Sequence, residues 1–437
     1  MTEPLRIAIN AQLLPCGGSG GVEQALIGLV AALGKLEDGP EQYELIGPWQ
    51  EPDWLRPYLG PNQRIVAGPG QAGPPGRFGS LMHALRPLWP ILRQARSIWS
   101  GLVRSDRWRT EVPMSDGFYE RLGCQVVHFP YQRFVVCALP TIYNPHDLQH
   151  LHYPEFFTPS AIAWRETTYR AGCRLAHSVV VGSHWVKQDV IRQYRVDPDK
   201  VQVIPWAPLS EAYPPPSPTT VQTVKEKYRL QLPFGLYPAV TWEHKNHLRL
   251  LEALALLRDQ DGLVVRLVCT GTRYPSFWPR IEERLCALDL HGQVQFLGMV
   301  PPEHFRSIYR LAQFVIVPTL FEAASAPIFE AWLEGVPVAC STVTSLPEQV
   351  GDAALLFDPF SVEAIADAVR RIAADEHLRA DLTRKGGRRL QDFSWERTAK
   401  AYRAVYRRSA RCPLTEEDRW LLSWDWMRSP KNEEERA

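Results

Sequence analysis

Residues 318–335 read PTLFEAASAPIFEAWLEG, and the segments on either side of them set the fold. Phe314–Val317 is an unbroken run of large apolar residues, the pattern of a strand buried on both faces. Pro327 suits the first position of a helix, because its missing N–H would be unpaired there anyway. That helix is expected to end at Gly335, with the next strand resuming over Val336 to Cys340. If Pro327 is the first helical residue, the cap is Ala326, a poor capping side chain; Ser325 takes that place if the helix starts one residue earlier. Without a strong cap the first N–H groups stay open to an anion, and the helix dipole assists. Glu330 then lies about one turn inside, roughly 4.5 Å along the axis, where its carboxylate can accept two hydrogen bonds from a cis-diol such as ribose. In open α/β sheets, ligands bind at the carboxyl ends of strands, where the loop carrying Glu322 lies.

The same alternation extends outward from this unit. RIAIN, QVVHF, SVVVGS, VQVIP, LVVRLVCTG, VQFLG and VPVACS are short apolar runs, each followed by a segment of helix length. The class is α/β, doubly wound. AYPPPSPTT after VQVIPWAP is too rich in proline for a helix or central strand and reads as a linker. The expected organisation is a first domain over 1–207, a linker over 208–222, a second domain over 223–410, and a terminal helix and tail over 411–437. Thr415, three residues before Asp418, has the spacing of a capping box.

Three further segments carry chemistry. In YPAVTWEHKNHLRLLEALALL the apolar spacing of Leu250, Leu254 and Leu257 starts a helix after Asn246, so His244 and Lys245 sit at a strand-to-helix junction. A lysine there can neutralise the charge of an anionic ligand. PCGGSGGVEQALIGLVAAL is a glycine-rich turn opening a helix, and Gly20 and Gly21 allow the backbone to approach an anion closely. It contains no G-x-x-x-x-G-K-[ST], which sets aside a nucleotide-hydrolysing P-loop. PTIYNPHDLQHLHYPEFF places His146 and Asp147 just past a strand, with Asp147 orienting the histidine or capping the turn. Ser183 stands at the tip of another.

Composition narrows the class. The 437 residues suit two domains, and 45% apolar content supports packed cores. With 49 basic against 48 acidic side chains, the net charge of +1 argues against a nucleic-acid binder. Eight cysteines show no C-x-x-C and no Cys/His zinc spacing, which points to reduced thiols. No secretory leader and no spanning apolar run is evident, so a cytoplasmic location is expected, with at most peripheral contact at the inner membrane face. Residues 77–109 hold seven arginines and one acidic residue. Within them Ile91, Ala95, Ile98 and Leu102 fall at helical spacing, so this stretch either rests on an anionic membrane or packs on its domain with a solvated face. Asp197/Asp199 and Asp259/Asp261 have the D-x-D spacing of a metal site but read as polar turns after helices.

Glu322 and Glu330, with PTLFE, EAWLEGVPVACS and SLPEQVGDAALLFDP around them, resemble the E-x7-E signature of retaining GT-B glycosyltransferases of family 4, the group 1 glycosyltransferase domain. The resemblance implies two Rossmann-like domains facing a cleft, and a metal-independent transfer of a hexosyl group from a UDP- or GDP-sugar to a hydroxyl acceptor (a glycan or glycolipid) in surface polysaccharide or glycolipid synthesis. It places Glu322 beside the donor sugar, Glu330 on the nucleotide ribose, and the amides of Ala324, Ser325 and Ala326 towards the diphosphate and sugar hydroxyls. It puts Lys245 on the diphosphate and His146 in the sugar pocket, with Gly20 and Gly21 in the first donor loop. Gly298 and Val300 would lie beside the base. The chain departs from the family twice. Ala323, Ala324 and Ser325 stand where the family has Gly-aromatic-Gly, and Ala239 or Val240 stands where it has an arginine; His244 is the candidate substitute for that cation. These departures keep two other readings in view, a sugar-nucleotide-binding protein with weak or no turnover and a GT-B nucleotide-sugar epimerase.

Overall fold

The computed structural model describes residues 4–13, 21–69, 111–209 and 214–426. Two parallel sheets organise the chain. The first comprises β1 (Arg6–Asn10), β2 (Gln42–Gly47), β3 (Gln63–Ala67), β4 (Val126–Phe129), β5 (Thr141–Tyr143), β6 (Ser178–Val181) and β7 (Val201–Val203). Its spatial order is β3-β2-β1-β4-β5-β6-β7. The second comprises β8 (Gly235–Pro238), β9 (Leu267–Thr270), β10 (Val294–Phe296), β11 (Phe314–Val317), β12 (Val338–Ser341) and β13 (Leu355–Phe357), in the order β10-β9-β8-β11-β12-β13. Every pairing is parallel. The winding reverses between β1 and β4 in the first sheet and between β8 and β11 in the second, and such reversals leave the crevice in which α/β sheets bind ligands.

The strands were readable because helices cover both faces. Phe314, Val315 and Ile316 are fully buried and Val317 nearly so, as are Val126, Val127 and Phe129. Residues that alternate less cleanly escaped: QYELIG became β2 and QRIVA the edge strand β3.

Two expected boundaries move. The helix Pro218–Lys227 begins inside the proposed linker 208–222, with Ser217 as its cap accepting from the Thr220 amide at 3.1 Å. Proline excludes helix interiors but is well placed at a helix start, so the proline-rich stretch contains a helix origin. The larger correction concerns Trp395–Ser409, which the division at 410 assigned to the second domain. This helix crosses back and packs on the first. Its Tyr406 hydroxyl donates to His128 Nδ1 on β4 at 2.8 Å, and its Tyr402 hydroxyl accepts from Asn144 after β5 at 2.6 Å. Arg403 pairs with Asp38, and Arg407 reaches Glu41 at 2.7 Å and Asp418 at 2.9 Å. Gly28 lets this helix approach the helix Gly21–Gly34, since an added Cβ would lie 2.3 Å from the Trp395 ring. The terminal helix Glu416–Ser423 follows on the same side, with the expected Thr415/Asp418 capping box.

Candidate functional site

The carboxyl ends of β8 and β11 flank the reversal of the second sheet, and each sends one charged side chain into it. After β8 the chain makes a single tight turn, Glu243–Lys245, and Asn246 then takes a left-handed conformation with φ 61°. Asparagine tolerates that region better than most residues. Its side chain fixes the turn by donating to the carbonyls of Pro318 at 2.9 Å and Pro359 at 2.8 Å. Tyr237 donates to the Lys245 carbonyl at 2.6 Å. Lys245 is thereby held against Glu322, its Nζ 2.7 Å and 3.1 Å from the two carboxylate oxygens.

Glu322 is buried, and its backbone is held as firmly as its side chain. Its amide donates to Thr344 Oγ1 at 3.1 Å, and its carbonyl accepts from Thr344 at 2.5 Å and from Ser345 at 2.8 Å. Burial pushes its carboxyl above the usual range, while the adjacent Lys245 ammonium pulls the other way. The two side chains form a buried ion pair at the reversal of the second sheet.

The loop that follows differs in part from expectation. The helix spans Ala326–Leu333, starting one residue before Pro327, so Ser325 is the cap by position. The Ser325 side chain, although of a type that caps helices well, makes no capping bond. Its amide, however, does not face the cleft: it donates to Gln349 Oε1 at 2.8 Å, and its carbonyl accepts from Gln349 Nε2 at 2.9 Å. The amide of Ser325 therefore drops out of the expected anion contacts in this conformation. Ala324 does face the first domain, for a Cβ added to Gly182 past β6 would lie 3.7 Å from the Ala324 methyl. Ala326 is half-buried at the helix start. Glu330 lies one turn in and is only 2% exposed.

The first sheet supplies the opposite wall. His146 adopts φ 65°, and its Nε2 lies 2.9 Å from the Pro130 carbonyl. A carbonyl can only accept, so the proton sits on Nε2 and Nδ1 keeps its lone pair. Burial lowers the His146 pKa to about 4, so the ring is neutral at physiological pH. Together with Asn144, Gly182, Trp206, Ala323, Ala324 and Tyr402 it lines a narrow cleft between the domains. Asp147 caps the next turn, accepting from the Gln149 amide at 2.9 Å. Gly21 opens the helix Gly21–Gly34 beside Trp206, whose ring lies 3.7 Å from where a Gly21 Cβ would sit. Gly20 lies outside the described residues, as does the basic stretch 77–109.

His244 does not supply the charge of the missing arginine. Its ring is stacked on Trp242 at 5.7 Å and tilted against Phe156 of the first domain at 6.4 Å. Burial there holds its pKa well below the usual value, so it is uncharged. Gly298, with φ 71°, and Val300 lie past β10, and Gly271 past β9 donates its amide to the Gly298 carbonyl at 2.8 Å. Ser183 turns out to be a helix cap, accepting from the Val186 amide at 3.2 Å.

The two walls already touch. Tyr153 donates to the Leu320 carbonyl at 3.2 Å, the Phe321 and His152 rings lie 5.4 Å apart, and the Trp185 amide donates to Glu348 at 2.9 Å. Thr344 and Gln349 are the residues that sequence reasoning passed over, and Asn246 was read only as the residue before a helix. They hold functional groups in place, and polar side chains in loops give no periodic signal.

Two family models match the chain: Glycosyltransferase Family 4 over residues 19–207 and Glycosyl transferases group 1 over residues 235–375. The chain is 30% identical over 268 residues to O-antigen chain mannosyltransferase B of Escherichia coli, covering 60% of this chain and 69% of that protein. It is 28% identical over 242 residues to D-inositol 3-phosphate glycosyltransferase of Corynebacterium glutamicum, spanning 57% of that protein's length. In fold it resembles a sucrose-phosphate synthase from Thermosynechococcus elongatus, with a TM-score of 0.65 at 20% identity over 92% of this chain and 98% of the other. It also resembles an Anabaena protein crystallised with UDP and glucose, with a TM-score of 0.62 at 17% identity over 92% and 99% of the two chains.

Proposed function

We infer the reaction from an established premise: this chain belongs to the group 1 glycosyltransferases of family 4, built on the GT-B fold. Its proposed reaction is retaining, metal-independent transfer of a hexosyl group from a UDP- or GDP-sugar to a hydroxyl of a glycan or glycolipid. The observation that carries this reading is the Lys245–Glu322 pair, buried at the reversal of the second sheet and opposite His146.

The pair is built for exchange. In the absence of donor each partner neutralises the other. An entering diphosphate offers Lys245 a second anion, and the sugar hydroxyls that arrive with it can donate to Glu322 in compensation. Lys245 then stands where negative charge grows as the sugar–phosphate bond breaks, and an interaction that strengthens in the transition state accelerates the step. The leaving phosphate takes the acceptor's proton on the same face of the sugar. Neutral His146 has Nδ1 free of the Pro130 contact and accepts from a donor hydroxyl. Glu330 accepts from the ribose, which requires its helix end to become accessible as the domains part.

Two relatives are named mannosyltransferases of Escherichia coli, one acting on the O-antigen chain, so a mannosyl donor in surface polysaccharide synthesis is the first to test. No described helix is long and apolar enough to cross a membrane. Work at the cytoplasmic face on a glycan or lipid-linked acceptor fits this reading. The deciding experiment is a thermal-shift screen of UDP- and GDP-sugars, because a ligand favouring the native state raises its stability. A hit should raise Tm in the parent chain and lose most of its shift in Glu330→Ala; an unchanged shift in that variant refutes the ribose contact. Donor binding with no transfer to any of a panel of acceptors, chelator present or absent, would instead favour a sugar-nucleotide-binding protein, a reading supported by the Ser325 amide being taken up by Gln349.

A further inference from the structure

We propose a second site, unrelated to the transfer cleft: a zinc-class divalent cation bound by Glu282, Cys286 and His291 on the second domain. The candidate ligand atoms of these three side chains all lie within 4.8 Å of one another, and Cys286 Sγ is 3.2 Å from His291 Nε2. Glu282 and Cys286 are one turn apart on the helix Trp278–Ala287 and so share a face. His291 is brought back to that face by the turn after the helix.

The turn is clamped rather than loose, which is what a ligand set requires. Asp289 takes φ 49°, the Leu290 amide donates to the Leu285 carbonyl at 3.0 Å, and Leu285 and Leu290 are both buried. Arg258, from the neighbouring helix His247–Asp261, donates to the carbonyls of Leu288 and Asp289 at 3.0 Å each. Glu282 has no cationic partner among the described residues. Cys286 and His291 are exposed, so an ion can reach them.

The donor set selects the ion. A thiolate, an imidazole and a carboxylate suit zinc and its borderline neighbours, and three protein ligands leave one position for water. Magnesium and calcium prefer oxygen ligands and would be poorly served. Binding is a proton-for-metal exchange: the Cys286 thiol loses its proton to solvent as the sulfur–metal bond forms, with no change of oxidation state. The helix runs back from the carboxyl end of β9 towards the start of β10, so the site lies at the amino-terminal edge of the sheet, away from the cleft. Its expected effect is to staple the helix end to its turn and stabilise the domain, without taking part in transfer.

The test uses the full chain stripped with a chelator and titrated with Co²⁺, whose thiolate ligation gives a charge-transfer absorption. One equivalent of Co²⁺ should saturate that band, and Zn²⁺ should displace it and raise Tm. Cys286→Ser should abolish the band and the Tm rise, and His291→Ala should weaken binding by more than the roughly 10–100-fold that loss of an outer-shell partner costs. Cys412→Ser, a half-buried thiol elsewhere, should leave both unchanged. A band that survives in Cys286→Ser, an absent band, or saturation only at a large molar excess of metal would each overturn the proposal.

Discussion

Replacing Lys245 by alanine removes one half of a pair whose carboxylate is largely shielded from water. The Glu322 side chain is 11% exposed and that of Lys245 17%, and their closest approach is 2.7 Å. Two unit charges at such a distance attract by about 6 kcal/mol at an effective dielectric constant near 20. Part of that attraction offsets the cost of burying both groups, and removing one partner of a buried pair typically costs about 3–5 kcal/mol because the other is stranded. The residual exposure lets water reach Glu322, so Lys245→Ala should sit at the lower end, about 3 kcal/mol in urea unfolding. Glu322→Gln in the same background should recover most of this loss, since no buried charge then remains. Turnover should behave differently. Lys245→Ala should lower kcat by roughly 10²–10³-fold, the range seen when one donor to a developing anion is removed, and the second substitution should not restore it. The discriminating measurement is a double-mutant cycle read once by denaturation and once by nucleotide release. If stability and turnover recover together in the double variant, Lys245 serves only to neutralise Glu322 and the electrostatic role assigned to it is wrong.

Two further outcomes follow from the packing. Arg407→Ala would strand Glu41 and Asp418, which are 3% and 1% exposed in their side chains, and should destabilise the chain by about 3–5 kcal/mol; a change below 1 kcal/mol in urea unfolding would contradict a stabilising role for these ion pairs. His128 is fully buried, and burial lowers its pKa from 6.5 to about 4. The unfolded chain therefore takes up this proton first, so the stability it contributes is complete above pH 6.5 and is lost as pH falls towards 4, by about 3 kcal/mol. His146 and His247, lowered to about 4 and about 3, act in the same direction. Urea titrations at stepped pH should show this slope, and it should be shallower in His128→Gln; stability independent of pH between 6.5 and 4 would refute it.

Much of the architecture was legible because parallel strands covered on both faces leave an unmistakable run of apolar residues. FVIV, SVVV and VACS could be little else. The edge strand β3 was not legible, because QRIVA is half-exposed and its alternation is weak. The positions of Glu322 and Lys245 could be read from strand-to-helix junctions, but their direct pairing could not, since 77 residues separate them. The role of Gln349, which closes off the Ser325 amide, depends on a loop that carries no periodic pattern. The cation site eluded a search for cysteine and histidine spacing because its three ligands straddle a helix end and a left-handed turn. The crossing helix is the plainest failure: WERTAKAYRAVYRRS is amphipathic wherever it docks, and only its buried partners on the first domain reveal which sheet it completes.

That crossing bears on how the chain is made. The first domain lacks one of its packing helices until residues 395–409 have been synthesised, after every strand of the second sheet. Domains that fold in order of emergence normally finish from the amino terminus onward. Here the earlier domain keeps Tyr43, His128 and Asn144 without their partners on this helix until the chain returns. An apolar face left open for that interval is the kind of surface through which incompletely folded chains aggregate.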